Sequence, residues 1–127
     1  MTAHAHITTE MQDQILIITI TTDEISGSDI CFALRDEMID AVERTQPTDL
    51  VIRFAQVQFI ASMGIAGFLT LRRTRQLDKI VLCEASQRIS ELFELCQVAS
   101  RDPERGLAFG IRDTLGEALE LIGACTN

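Results

Sequence analysis

The chain contains no tryptophan and no tyrosine, and only two prolines and two histidines among its 127 residues. Aromatic stacking on nucleic-acid bases would fall to its six phenylalanines, which a core of this size needs for itself. Basic residues are also scarce. Eleven Lys and Arg stand against 19 Asp and Glu, for a net charge of −8. A chain this acidic lacks the cationic excess that binds phosphate backbones or anionic membrane surfaces. Neither nucleic acid nor a membrane surface is therefore expected as a partner. No apolar run approaches the ~20 residues that span a bilayer, so membrane insertion is not expected either. The opening MTAHAHITTE has no basic stretch and no apolar core of the signal-peptide kind, which makes the cytoplasm the expected location.

Metal and cofactor chemistry find little support. His4 and His6 have no Cys or carboxylate pattern around them, so no metal site is expected. The four cysteines, Cys31, Cys83, Cys96 and Cys125, include no C-x-x-C pair and read as buried free thiols. No cofactor is expected. The two prolines, Pro47 and Pro103, fall in polar breaks.

What is present is a clear alternation of patterns. The length suits one domain over residues 1–127, and burying roughly 65–70% of the unfolded surface requires no staple. A weak strand from Ile7, a polar turn at Met11–Gln14 and a strong β-branched strand at Ile15–Thr21 come first. A helix follows, capped by Ser26 or Ser28, with Ile30, Ala33, Leu34, Met38, Ala41 and Val42 as its buried stripe. It ends before Pro47. DLVIRFA, KIVLCE and LAFGI read as strands. Helices are expected around Ile65, Phe68 and Leu69, ending near RRTRQ, and around Ile89, Leu92, Phe93 and Cys96. The last helix opens with Thr114 and Glu117 in capping-box spacing and buries Leu115, Ala118, Leu119 and Ile122. The order β-β-α-β-α-β-α-β-α predicts an α/β fold. Its sheet is mixed but mostly parallel, packed by helices, with the first two strands antiparallel.

One junction carries the functional question. In FIASMGIAGF, Phe59 to Phe68, a strand-like run hands over to a helix at Ser62. A nucleophile elbow requires G-x-S-x-G and a histidine base, but Ile60 stands where the first glycine should be and no histidine lies downstream. A Walker-type loop requires a lysine after its glycines, and there is none. No catalytic residue is assigned. Ser62 remains a helix cap, a regulated hydroxyl, or a neighbour of helix-terminal N–H groups that hold an anion or nucleotide. Helix phase places Ile65, Phe68 and Leu69 inward and Met63, Gly67, Thr70 and Thr74 outward. An outward face so short of charge suits a protein partner. Arg53 should lie with Val51 and Ala55 on one strand face, partly exposed or ion-paired.

The order of elements and LVIRFAQVQFIASMGIAGFLTLRRTRQLDKIVL, followed by the closing LAFGIRDTLGEALELI, resemble the STAS domain. That family comprises bacterial anti-sigma-factor antagonists and the cytoplasmic domains of sulfate transporters. The resemblance implies a protein-binding regulator of transcription and not an enzyme. Its implied partner is an anti-sigma factor that is also a serine kinase, and Ser62 matches the family's phosphorylated serine. Met63, Gly64, Gly67 and Thr70 fall in the implied partner surface, and a homodimer is compatible with the pattern. A STAS subunit of another signalling or transport assembly is the alternative, as is a small-anion or nucleotide sensor. Three positions depart from the family pattern: Ala61 replaces the Asp before the serine, Met63 a second Ser or Thr, and Arg53 an Asp of the preceding strand.

Overall fold

In the computed structural model, which describes residues 4–73, 77–102 and 108–123, the strands and helices alternate as the pattern predicts. Strands β1 (Ile7–Gln12) and β2 (Ile15–Ile20) pair antiparallel. The connecting turn is tighter than the polar run suggested, because Asp13 takes a left-handed conformation (φ 56°) and lets β1 continue through Gln12. Next come β3 (Glu24–Ile25), α1 (Ser28–Thr45), β4 (Asp49–Arg53), β5 (Phe59–Ile60) and α2 (Ser62–Arg72). Then follow β6 (Lys79–Cys83), α3 (Gln87–Leu95), β7 (Ala99–Ser100), β8 (Phe109–Arg112) and α4 (Leu115–Gly123). The main sheet runs β1-β2-β4-β6-β8-β7 and is parallel from β2 onward. The fold class read from the sequence is the one observed.

Alternation along the strands sorts the core into two faces. Leu16, Ile18, Ile20, Leu50, Ile52, Ile80, Leu82 and Ile111 meet α1, α2 and α3. On the other face Ile17, Val51, Val81 and Cys83 meet α4, where Ala118 and Ile122 are buried and Leu115, Leu119 and Leu121 are half-buried. A chain of rings ties the larger side together: Phe54–Phe68, Phe68–Phe93 and Phe93–Phe109 stand 5.4, 5.9 and 6.2 Å apart between centroids. This packing ties α2 and α3 to each other and to the sheet.

Several local expectations are corrected. In α1 the buried set is Cys31, Leu34, Glu37, Met38, Ala41 and Val42, while Ile30 and Ala33 are half-buried. Glu37 is tolerated inside because His6 binds both its oxygens, through the backbone N–H and Nδ1, each at 2.8 Å. The N-cap of α1 is Gly27 at φ 81°, not Ser26 or Ser28, and no side chain caps it. Cys31 and Cys83 are buried thiols, but Cys96 is exposed. It follows α3 as its C-cap and so leaves the buried stripe. The Thr114 and Glu117 capping box forms as read: Glu117 N–H donates to Thr114 Oγ1 at 3.1 Å, and Thr114 N–H to Glu117 at 3.3 Å. Cys125, Pro103 and the leucine of LAFGI lie outside the described residues.

Candidate functional site

Ser62 lies where open α/β folds place their sites, beyond the C-terminal ends of parallel strands. After β4 the chain turns through Val57, whose N–H donates to Phe54 O at 3.0 Å. It then runs along the segment that precedes α1. Gln58 N–H and Ala61 N–H donate to Asp23 O and Ile25 O at 2.7 and 2.8 Å. Two residues on each side form the parallel pair β3–β5, with Glu24 beside Phe59 and Ile25 beside Ile60. The isoleucines are buried, whereas Glu24 and Phe59 face outward. The serine junction is thereby clamped against the entrance to α1.

Ser62 is not a helix cap. The N-cap is Ala61, in extended conformation and without a side-chain bond, and Ser62 is the first helical residue. A capping oxygen must belong to the non-helical residue that precedes the first turn, and the chain places alanine there. The Ser62 side chain is exposed. Its hydroxyl has no hydrogen-bond partner among the described residues. It is available to solvent and to an incoming group.

The outward face of α2 is only partly as read. Met63 is exposed (47%), and Ile65 and Phe68 are buried as expected. Leu69 is half-buried against the core. Gly64 is buried and lines no surface: a Cβ there would stand 2.8 Å from Ile25 Cγ2 and 3.0 Å from Ile60 Cγ1. Its missing side chain lets α2 settle on the β3–β5 pair. Gly67 is half-buried because it faces α1, where a Cβ would meet Arg35 Cβ at 3.5 Å. Thr70 is half-buried and donates its hydroxyl to Ala66 O at 3.2 Å. Thr74 lies outside the described residues.

The open surface beside Ser62 lies on the opposite side, toward α3. A groove of about 540 Å³ runs between residues 58–62 and α3 from Arg88 to Leu95. Ile60, Ile89 and Leu92 give it an apolar base, and Phe59 (48% exposed) and Leu95 (80% exposed) stand at its edges. The sequence did contain one sign of this surface. Leu95 is a large apolar residue off the buried stripe of α3, and such residues mark contact surfaces only when others join them. The tertiary fold supplies the others, from a segment more than thirty positions earlier.

Arg53 is half-buried and ion-paired, as expected. Nε and Nη2 donate to the two oxygens of Glu84 at 2.6 and 3.1 Å. That hydrogen bonding raises the guanidinium's pKa, with burial opposing. Arg53 shares the α4 side of the sheet with Val51, whereas α2 packs on the other side. Its charge therefore serves Glu84 and not the Ser62 junction. The histidines are also engaged: His4 Nε2 and Asp40 Oδ2 are 2.9 Å apart, and His6 binds Glu37. Among the described residues no group of three or more His, Cys, Asp or Glu is arranged to hold a metal. No described helix is long and apolar enough to cross a membrane.

A putative anti-sigma factor antagonist from Thermotoga maritima, TM1081, superposes with a TM-score of 0.70 at 14% identity, over 92% of this chain and 97% of its own. The Bacillus cell fate determinant SpoIIAA in its phosphorylated form gives 0.61 at 20% identity, over 91% and 98%. The anti-sigma factor antagonist SpoIIAA in its unphosphorylated form gives 0.59 at 17%, over 91% and 96%. At such identities the likeness establishes the fold. No curated protein matches the sequence significantly. The sequence model of the STAS domain does match, over residues 6–118, and the chain belongs to the STAS domain family.

Proposed function

We propose that this chain is an anti-sigma-factor antagonist. It binds an anti-sigma factor that is also a serine kinase, releases the sigma factor that this partner holds, and is switched by phosphorylation of Ser62. One observation carries the reading: an exposed hydroxyl with no hydrogen bond among the described residues borders an apolar groove at the C-terminal end of the sheet. The STAS fold and its likeness to anti-sigma factor antagonists support the reading.

The switch follows from electrostatics. A phosphate adds about −1.5 to −2 charges. At the first turn of α2 the helix dipole accepts that charge, so the domain itself stays folded. A partner covering the apolar groove would have to bury the charge against its own apolar side chains, which costs several kcal/mol. Met63, exposed beside Ser62, belongs to the same contact. Ala61 and Met63 remove the polar neighbours that the family pattern places on either side of the serine. The kinase must therefore orient the hydroxyl from its own side.

The test uses a kinase-type anti-sigma factor from the same genome. Wild type and Ser62→Ala are incubated with it and ATP, and their intact masses are compared. One phosphate on wild type and none on Ser62→Ala is expected. Ser62→Asp should keep its fold and lose about tenfold or more in binding to that partner, roughly 1.4 kcal/mol. Phosphate on both proteins, or binding unaffected by Ser62→Asp, would remove the switch.

A further inference from the structure

The groove beside Ser62 also has a charge pattern, and it selects the chemistry of what lies in it. On the α3 wall, exposed Glu91 lines the groove, and exposed Glu94 follows on the same side of the Leu92–Leu95 ridge. The same two carboxylates line, with Leu95, the shallow depression that continues the groove. Outside the lining, Glu24 stands beside Phe59 in the β3–β5 register, exposed like it, and exposed Asp23 precedes it. The single cation of the lining is Arg88. Glu91 forms no ion pair with it: its Oε1 accepts from Gln87 Nε2 at 2.9 Å. The surface is an apolar base with four carboxylates and one guanidinium at or near its rims.

We infer that this groove receives a basic amphipathic helix of a partner protein, its apolar side chains on Phe59, Leu92 and Leu95 and its Lys or Arg residues against the rims. This inference deepens the functional reading above by naming the partner segment's chemistry. Complementary charge argues for that occupant over others. A second copy of this chain would bring the same acidic rims and the same net charge of −8 against the first. An anionic membrane would be repelled for the same reason. An acidic helix would set carboxylates against carboxylates. An apolar face between cationic flanks satisfies both features at once, in the manner of helices that lie in grooves. The rims lie at the solvent edge, where their charges steer and orient the incoming helix. Ser62 lies against the apolar base, where an added phosphate is desolvated and not merely screened. Rim attraction and phosphate exclusion thus act at different depths of one site.

The test uses the full isotope-labelled chain and two synthetic helical peptides, one of Leu and Lys and one of Leu and Glu, titrated at low and high salt. The Leu/Lys peptide should shift resonances of residues 58–62 and 88–95, bind about tenfold or more tighter than the Leu/Glu peptide, and weaken with salt. Leu95→Ser, at a site too exposed to disturb folding, should weaken it about tenfold. The pair Glu91→Lys and Glu94→Lys should abolish or reverse the preference between the peptides. Shifts confined to other surfaces, or binding indifferent to both changes, would overturn the inference. So would self-association or binding to anionic vesicles that Leu95→Ser removes, since these would identify a different occupant. The anti-sigma factor separates this idea from the functional reading. If it binds wild type and Leu95→Ser equally well, the groove falls and the function stands. If the peptides behave as expected and no anti-sigma factor binds, the function falls and the groove stands.

Discussion

Two glycines of α2, three positions apart, do opposite work. Gly64 is required by contact: Ile25 and Ile60 are buried and β-branched, so neither can swing away from a new methyl at 2.8–3.0 Å. Gly64→Ala should destabilise by about 1–3 kcal/mol despite alanine's better helix propensity. At Gly67 the nearest atom to a new methyl is the Arg35 stem at 3.5 Å, an ordinary contact. Gly67→Ala should therefore stabilise, by up to about 1 kcal/mol. Urea midpoints of the two variants decide both, and a destabilised Gly67→Ala would show that α1 and α2 pack more tightly than the geometry says. Ser62→Ala belongs to the same scale. With no capping bond to lose, it should change stability by less than about 0.5 kcal/mol. A loss near 1 kcal/mol would restore the cap.

At the scale of elements, what the sequence revealed and what it hid differ by range. The long strands, the four helices and the Thr114–Glu117 box were legible because each is written in neighbouring residues, as periodicity or as a fixed spacing. The β3–β5 pair was not. It consists of two residues on each side, and its partners lie about thirty-five positions apart in the chain, so no local pattern encodes it. β7 is hidden because it too is only two residues long. The serine junction was visible as a place, but its surroundings were not. Whether Gly64 and Gly67 faced solvent depended on where β3 and α1 would lie. Glu37 illustrates the same limit. A carboxylate inside the α1 stripe looks like a phase error until the N-terminal segment supplies His6. This contact straps the start of β1 onto α1. Glu37→Leu should leave two polar groups of His6 without that acceptor and cost about 1–3 kcal/mol. Hydrogen exchange at the His6 amide should accelerate more than at the centre of β2. Unchanged protection at His6 would mean that the strap contributes nothing.

For the whole molecule, composition and burial together set an alkaline limit. The chain has no tyrosine and a single lysine, so few groups besides its cysteines and N-terminus titrate between neutral pH and the arginines. Cys83 lies inside the sheet on the α4 side, fully buried, in register with Arg53 on one neighbour and Arg112 on the other. Burial pushes its thiol up from 9.0 to about 12, Glu84 adds to the shift, and Arg53 opposes it. Burial also raises the thiol of Cys31. The folded pKa therefore exceeds the unfolded one. Below pH about 9 both states hold the proton and the stability is fully present. As pH rises from there toward 12 the unfolded chain loses the proton first, and stability falls. The urea midpoint of wild type should drop between about pH 8 and about pH 10.5. Cys83→Ala will begin lower, since it leaves a small cavity, but its own drop over that interval should be shallower. Thiol labelling at neutral pH offers a second view of the same burial: Cys96 should react in the native state while Cys31 and Cys83 stay protected. Equal alkaline drops in wild type and Cys83→Ala would show that another group sets the limit. Rapid native-state labelling of Cys83 would show that the single helix α4 does not keep its side of the sheet closed.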